Sequence, residues 1–422
     1  FALGVTLLSA MIFGVLPAWR ATGEANDEAL RVGGLWMSRG SRRWADGMVA
    51  VQVGLTAVVL IAAGLLLKSF LVLRDVELGF AREHVITSTV NLPAANYETR
   101  DDRARFGAEW LERLNAIPGV SAAAISNSLP LRYTLLLNVT VRVAGESEEQ
   151  TVGGRAVGGA YFEAMGIEWV AGGPFDEANE DQVAVNEAFV RRHLHGGTAV
   201  GINLGEGDKP LTITGVVKDV RHLGMREAAS PEMFMPFARF PLNPVDTVVR
   251  SQLPAGQIAA AMRRELQSVD PRLALGEIKT MSEVIDDQLA RPRFQALLLG
   301  LFAAVAMALA AVGAYGVIAH NVRSRVAEFG LRRALGAGTR DLVRLVLWNG
   351  MKAPLLGLAV GLAIGAFAVG RYLETLLYGI TPRDPAVLLL TGGLLALTSL
   401  LACALPGRWA ATVEPSQALR QE

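Results

Sequence analysis

The sequence predicts an α-helical transmembrane bundle into which one extracytoplasmic α/β (α+β) domain is inserted. Apolar residues make up 51% of the 422 residues, charged residues only 19%, and the mean hydropathy is positive. Soluble domains are normally more polar than this. Several apolar stretches reach the length of about 20 residues that a helix needs to cross a bilayer. Residues 74–293, which separate two of these stretches, have the mixed character of a folded domain.

Five apolar stretches are predicted to be membrane helices, and the first looks shortened at its start. They are residues 1–16, 47–67, 294–319, 345–369 and 385–405. No basic residues precede the first stretch, which argues against a signal peptide. The second continues to residue 73 as a helical stalk, with Lys68 reaching towards the interface. Pro354 predicts a kink, and the spacing of glycine and alanine predicts close packing of helices.

Arginines set the predicted orientation, because short cytoplasmic loops collect Lys and Arg whereas long translocated domains do not. Loop 320–344 contains six arginines and only two acidic residues, Glu328 and Asp341. This loop is therefore predicted to be cytoplasmic. Alternation of the spans then places residues 74–293 outside the membrane and the C-terminus inside.

The outer segment shows strand and helix patterns along its length. The predicted strands are residues 84–90, 120–126, 138–143, 183–186 and 211–217. The predicted helices are residues 99–116, 161–165, 187–193, 256–269 and 281–289, the last of them a second stalk. The glycine pairs at 153–154, 158–159, 172–173 and 196–197 are assigned to turns.

An internal repeat links the two ends of the chain. Leu16-Pro17, Ala21 and Ala29-Leu30-Arg31 recur in the same register as Leu405-Pro406, Ala410 and Ala418-Leu419-Arg420. Each copy follows an apolar span, so the chain is predicted to begin with the last helix of one unit and to end with the same helix of the next. Chance similarity of two helix ends is the alternative.

Five motifs resemble those of MacB/FtsX-type ABC transporter permeases, most closely the duplicated orphan permeases (ADOP), in which two permease units are fused. They are GGAYFEAMGI at 158–167, VNEAF at 185–189, GVVKDVR at 215–221, AVGAYGV at 311–317 and RVAEFGLRRALGA at 325–337. The resemblance implies a multi-pass protein of the bacterial inner membrane with a large periplasmic domain of the MacB core type.

This resemblance implies that the chain is divided into five parts. They are the last transmembrane helix of a preceding permease unit (1–19), a cytoplasmic linker (20–46), a transmembrane helix with its stalk (47–73), a MacB-like periplasmic core domain (74–293) and an FtsX-like permease domain with three transmembrane helices (294–422).

The candidate functional site is a short helix within residues 325–337. Its pattern places Val326, Phe329 and Ala334 on one side and arginines on the other, so it can lie at the cytoplasmic surface and present a docking face. Glu328 is spaced to pair with Arg332. Gly336 and Gly338 are predicted to end the helix.

The resemblance implies that this element is the coupling helix that receives force from an ATPase. Its partner-binding residues would then be Arg325, Glu328, Phe329, Gly330, Arg332, Arg333, Ala334 and Gly336. Gly330 is expected to allow close approach of the partner's backbone. The alternative is that the arginines only fix topology and contact anionic lipid headgroups.

We expect no catalytic, cofactor-binding or metal site. The P-loop pattern G-x-x-x-x-G-K-[ST] does not occur in the sequence, so a separate ABC ATPase subunit would have to bind ATP. His193 and His195 lack a third ligand at zinc spacing and are assigned to a surface loop. The predicted spans contain no acidic residue, which argues against proton-coupled transport. The balanced charge gives no indication of nucleic-acid binding.

Two functions remain open at this point. In the first, the chain is the permease subunit of an ABC-type system that passes ATPase-driven movement to the periplasmic domain and exports a periplasmic substrate. In the second, it is a regulatory or binding membrane protein that controls an envelope partner without transport. The expected partners are the ATPase subunit, membrane lipid, a preceding permease unit or a second copy of the chain, and a periplasmic protein.

Overall fold

The computed structural model describes residues 39–132, 137–142, 149–205 and 210–412. These residues fall into two compact units. The membrane unit lies within Phe1–Gly64, Leu299–Glu374 and Pro382–Glu422, and the outer unit comprises Leu65–Leu298 and Thr375–Thr381. The predicted helix at 1–16, the first copy of the repeat and the triplet Ala418-Leu419-Arg420 lie outside the described residues.

The secondary-structure elements follow one another along the chain. They are α1 (Arg39–Arg74), β1 (Val85–Val90), α2 (Arg100–Asn115), β2 (Val120–Ser126), β3 (Leu137–Val141), β4 (Gln150–Gly159), α3 (Tyr161–Met165), β5 (Trp169–Gly172), β6 (Gln182–Asn186), α4 (Glu187–His193), β7 (Asn203–Leu204), β8 (Leu211–Val217), β9 (Glu232–Pro236), β10 (Val245–Ser251), α5 (Ala255–Val269), β11 (Lys279–Thr280), α6 (Met281–Arg323), α7 (Val326–Ala334), α8 (Thr339–Ile364), α9 (Gly370–Leu373) and α10 (Pro385–Thr412).

Four helices among the described residues are long and apolar enough to cross a membrane: α1, α6, α8 with its continuation into α9, and α10. They correspond to the four full spans predicted from the sequence. Helix α6 runs through Pro292, so the predicted stalk at 281–289 and the span at 294–319 form one continuous helix. Helix α8 begins at Thr339, earlier than the predicted residue 345, and contains Pro354.

Glycines bring α1 and α8 into backbone contact in the membrane unit. A β-carbon added at Gly357 would lie 2.1 Å from the carbonyl oxygen of Ala50. One added at Gly361 would lie 2.5 Å from the carbonyl oxygen of Gly54. Only residues without a side chain allow two helices to approach this closely. The predicted close packing through small residues is confirmed for this helix pair.

In the described residues, the outer unit is built on one mixed sheet of 11 strands. Its strand order is β11-β1-β10-β2-β4-β9-β6-β8-β5, with β3 paired to β4 and β7 paired to β8. The β4–β9 and β6–β8 pairs are parallel, and the other pairs are antiparallel. Because successive side chains of a strand point to opposite faces, neighbours such as Ala124 and Ile125 belong to different apolar clusters. The sheet therefore has a core on each face.

Glycines 153, 154, 158 and 159 lie within β4, and their assignment to turns was wrong. A β-carbon at Gly154 would lie 2.4 Å from a methyl group of Val139 on the neighbouring strand. These glycines make room for side chains of adjacent strands, which is the second common use of glycine in a sheet. Because these glycines were assigned to turns, the ten-residue strand β4 was not predicted from the sequence.

Helix α2 lies within the helix predicted at residues 99–116, and its start is capped. Thr99 accepts a hydrogen bond from the backbone N–H of Asp102, and the Asp102 carboxylate accepts one from the Thr99 N–H. This reciprocal arrangement is a capping box, which satisfies two N–H groups at a helix start. The helix buries Trp110 against the sheet, where its indole N–H donates to the Thr247 hydroxyl at 3.0 Å.

Candidate docking helix and the loop beside the stalk

Helix α7, which we term the docking helix, ends in a Schellman motif. Its cap residue Leu335 is followed by Gly336, whose φ of +95° favours glycine. The N–H of Gly336 donates to the carbonyl of Arg333, and that of Ala337 donates to the carbonyl of Arg332. These are the two hydrogen bonds of the motif. Gly336 thus ends the helix as predicted, whereas Gly338 is extended and precedes α8.

Glu328 forms two ion pairs along the surface of the docking helix. Its carboxylate lies 2.8 Å from Arg332 Nη2 and 3.3 Å from Arg325 Nε. The predicted pair with Arg332 at one helical turn is confirmed. All three side chains are between 35% and 44% exposed, so each pair contributes at most about 1 kcal/mol to stability. The pairs orient the side chains more than they stabilise the helix.

The inward side of the docking helix is held by Phe329. This side chain is 4% exposed and packs in a cluster with residues of α6, α8 and α10. The buried members of the cluster are Ile318, Val322, Phe329, Leu342, Val346 and Cys403. Phe329 therefore fixes the docking helix to the ends of three membrane helices.

Gly330, the next residue, is also buried. The expectation that this glycine leaves room for a partner's backbone stays a prediction. Phe329 is the residue of the docking helix that packs into the membrane unit.

The outward side of the docking helix carries two exposed leucines that were not among the predicted partner-binding residues. Leu331 is 59% exposed and Leu335 is 80% exposed. They are one helical turn apart, so both lie on the same side of the helix. Arginines were predicted on this side, and Arg332 lies there next to the two leucines. Their i, i+4 spacing next to charged residues was the signal that could have revealed them.

The remaining predicted site residues lie at the ends of the helix. Arg325 precedes its first residue, Arg333 is half-buried in its last turn, and Ala334 is its last residue. The structure therefore brings the predicted residues together on one short helix. Their contact with an ATPase stays a prediction.

A loop between two membrane helices packs within the outer unit. Residues Thr375–Thr381 lie beside the outer part of α1, residues 65–74, which we term the stalk. The N–H of Tyr378 donates to the hydroxyl of Ser69 at 2.8 Å, and Arg226 donates to the carbonyl of Thr375 at 3.4 Å. Ser69 is only 3% exposed. We term this segment the stalk loop, because it joins the stalk to the sheet domain.

A buried ionic cluster lies in the interior of the outer unit. The Glu232 carboxylate accepts hydrogen bonds from Arg155 Nη2 at 3.0 Å and Nε at 3.3 Å, and lies 2.6 Å from His222 Nδ1. All three side chains are at most 3% exposed. Burial raises the pKa of Glu232, but His222 and Arg155 outweigh it and lower the pKa to about 2. Burial, followed by the charge of Arg155, lowers the pKa of His222.

His193 is not on a surface loop, which corrects the prediction for the histidine pair. It ends α4, is 6% exposed and packs on Phe189 with 5.0 Å between ring centroids. His195 follows in a turn with a φ of +50°. Among the residues that the structure describes, no group of three His, Cys, Asp or Glu side chains is placed to hold a metal ion.

The fold is that of a multi-pass helical membrane protein with an inserted α/β domain. Residues 48–269 match the MacB-like periplasmic core domain, and residues 300–415 match the FtsX-like permease C-terminal family. The first match covers more than half of the chain, so this protein belongs to the MacB-like family with an FtsX-like permease domain. The outer unit is accordingly periplasmic, and the protein resides in the inner membrane. The resemblance noted in the sequence is confirmed at this level.

Similar proteins include the macrolide export ATP-binding/permease protein MacB of Salmonella paratyphi A and that of Escherichia coli K12. The first is 24% identical over 444 residues, which cover 98% of this chain and 64% of the relative. The second is 23% identical over 439 residues, which cover 97% and 63%. The chain thus spans just under two thirds of these relatives. The periplasmic region of MacB from Actinobacillus actinomycetemcomitans matches 50% of this chain and 94% of its own, with 12% identity and a TM-score of 0.35.

Proposed function

We propose that this chain is the permease subunit of an ABC-type system, in which it passes ATPase-driven movement across the inner membrane to its periplasmic domain for export of a periplasmic substrate. In this proposal a separate ABC ATPase subunit binds ATP, and no P-loop occurs in these 422 residues. A second copy of the chain, or a fused preceding unit of the ADOP type, completes the permease. Helix α6 is the observation that carries this proposal.

Helix α6 extends without interruption over 43 residues, from Met281 to Arg323. At 1.5 Å per residue it is about 65 Å long, roughly twice the thickness of the hydrocarbon core. Met281, at one end, is fully buried in a core cluster of the periplasmic unit. Val322, at the other end, packs against Phe329 of the docking helix. A continuous helix with both ends packed can carry displacement between these two places.

The outward side of the docking helix suits a protein partner. Leu331 and Leu335 offer an apolar pair, and Arg332 adds a positive charge next to it. Interfaces typically depend on a few central apolar side chains surrounded by polar ones. We infer that the ATPase provides an apolar groove with acidic residues at its margin.

The stalk loop is a second element through which we propose that the movement passes. It connects α9 to α10 in the chain, and its backbone is hydrogen-bonded to Ser69 and Arg226 of the periplasmic unit. The Arg221 guanidinium also lies 6.0 Å from the centroid of the Tyr378 ring. The loop that follows α9 is therefore anchored to the stalk.

Docking is tested by replacing both exposed leucines in the full chain with Leu331→Asp/Leu335→Asp. The chain is co-expressed with an ABC ATPase from the same organism, and co-purification and ATP turnover in proteoliposomes are measured. Loss of two apolar contacts should weaken the complex by about 10- to 100-fold. Leu253→Asp, at a residue 41% exposed in the periplasmic unit, is the matched control and should bind normally. Full binding by the double variant would contradict the docking role.

Reporter fusions verify that each variant is inserted correctly. A reporter after Val120 should behave as periplasmic and one at Thr339 as cytoplasmic. Export is then measured with a macrolide, the substrate class in the relatives' names, as the first probe. ATP-dependent change in hydrogen exchange of the periplasmic unit without any export would instead favour the regulatory function. The purified chain alone should show no ATP turnover above background.

A further inference from the structure

A groove of about 540 Å³ opens along α8 on the surface of the membrane unit. Arg340 and Arg344 line one end of it. Beyond them its lining is apolar and includes Leu347, Trp348 and Leu355 of α8 and Leu400 of α10. The groove therefore combines a cationic end with an apolar channel.

The two arginines at this end are available to a ligand. Both are exposed, and neither forms an ion pair with any residue that the structure describes. They lie in the first two turns of α8, where the aligned peptide dipoles also favour an anion. Trp348, one turn beyond Arg344, is 69% exposed. Tryptophan is enriched at the headgroup level of membranes, where its polar and apolar parts are both accommodated.

The length of the apolar part indicates what fills the groove. From Arg344 to Leu355 the helix rises by about 16 Å. Half of a hydrocarbon core of roughly 30 Å is about 15 Å, so the groove spans one leaflet. A lipid with its headgroup beside the arginines matches both the length and the charge.

We propose that this groove is a binding site for an anionic phospholipid of the cytoplasmic leaflet. Arg340 and Arg344 would bind the lipid phosphate, and one acyl chain would lie along Leu347, Trp348 and Leu355. The lipid is assigned to the cytoplasmic leaflet because of the order of the elements. Helix α6 leaves the periplasmic domain and ends before the docking helix, and α8 begins after it, so the first turns of α8 lie at the cytoplasmic side. The site is separate from Leu331 and Leu335, so its test does not depend on the docking proposal.

The test measures lipid retained by the purified full chain in detergent, using native mass spectrometry. Phosphatidylglycerol and phosphatidylethanolamine with identical acyl chains are compared. We expect preferential retention of phosphatidylglycerol and, for Arg340→Gln/Arg344→Gln, affinity reduced by about 30-fold, since each arginine near a membrane surface contributes about fivefold. Arg263→Gln/Arg264→Gln removes two exposed arginines from α5 and should leave retention unchanged.

A second variant and a crosslink test the apolar part of the site. Leu355 is 47% exposed, so Leu355→Trp can occupy the deep end without entering the core, and it should also reduce retention. A photoreactive phenylalanine analogue in place of Trp348 should label phosphatidylglycerol. Labelling of a second copy or of another membrane protein would overturn the proposal, as would equal retention of both lipids. Unchanged binding by either groove variant would do the same.

Discussion

The periplasmic unit buries its large apolar side chains, whereas the membrane unit leaves many of its own exposed. Trp110, Phe189 and Phe234 are fully buried around the sheet, but Leu389 and Leu390 of α10 are 75% and 74% exposed. The first arrangement is required in water, where apolar exposure is unfavourable. In a bilayer, lipid tails solvate leucine as well as a protein core does, so exposure carries no penalty.

The two units consequently depend on different contacts for their stability. The periplasmic unit combines apolar burial on both faces of its sheet with the buried cluster of Arg155, His222 and Glu232. The membrane unit depends on close packing, as where Gly357 and Gly361 meet the backbone of α1. The same substitution should therefore have effects of different size in the two units, and this contrast can be tested.

The largest effect is expected from Arg155→Met in the periplasmic unit. Removing the guanidinium leaves the Glu232 carboxylate buried without its cationic partner, which should cost about 3–5 kcal/mol of unfolding free energy. Chemical denaturation of the full chain, followed by fluorescence, measures the loss. Arg155→Met combined with Glu232→Leu should recover most of it. Equal destabilisation by the single and double variants would show that the ion pair is not the cause.

Acid should destabilise the same unit selectively. The pKa of Glu232 is lowered from its usual 4.5 to about 2, so folding favours its charged form. Its stabilising contribution is present above pH 4.5 and is lost as the pH falls towards 2, by roughly 3 kcal/mol. His222 acts in the same direction, because its lowered pKa makes protonation favour the unfolded state below pH 6.5. The pH dependence of denaturation midpoints should become weaker in Glu232→Gln; an unchanged profile would exclude this carboxylate as the source.

A leucine at Gly361 should separate α1 from α8. Its β-carbon would lie 2.5 Å from a backbone oxygen and 2.7 Å from the Ala57 methyl group, neither of which can move away freely. Overpacking of this kind typically costs about 1–3 kcal/mol. Thermal stability in detergent measures it. Gly393→Leu on α10 adds the same side chain where nothing lies within 4 Å, and it should be tolerated. Equal tolerance of both would contradict packing through small residues.

The smallest effect is expected from Leu389→Ala on the lipid-facing side of α10. Its side chain is 75% exposed, so truncation should change stability by no more than about 0.5 kcal/mol. Leu114→Ala makes the same change at a fully buried residue of α2, and it should cost about 2–5 kcal/mol. Thermal unfolding of both variants provides the comparison. Similar losses would mean that Leu389 is covered by protein in the membrane.

The sequence was informative where local pattern determines structure. Span length and the periodicity around Phe329 were sufficient to locate the membrane helices and the docking helix, and the helix predicted at residues 99–116 matches α2. Strand β4 was missed because its glycines accommodate side chains of neighbouring strands, and those neighbours are distant in the chain.

The contacts of the candidate site were harder to predict for a similar reason. Whether Gly330 faces inward and Leu335 outward depends on how the docking helix lies on α6, α8 and α10. The stalk loop gave no signal, because its hydrogen bond to Ser69 joins residues that are 309 positions apart. Such pairings are set by the tertiary fold, which periodicity does not describe.

The continuity of α6 has a geometric consequence for the protein. A single uninterrupted helix fixes the angle between its two ends as well as their separation. Each residue inserted between Met281 and Arg323 would turn one end by about 100° relative to the other and lengthen the helix by about 1.5 Å. An insertion of seven residues, close to two full turns, would restore the original phase.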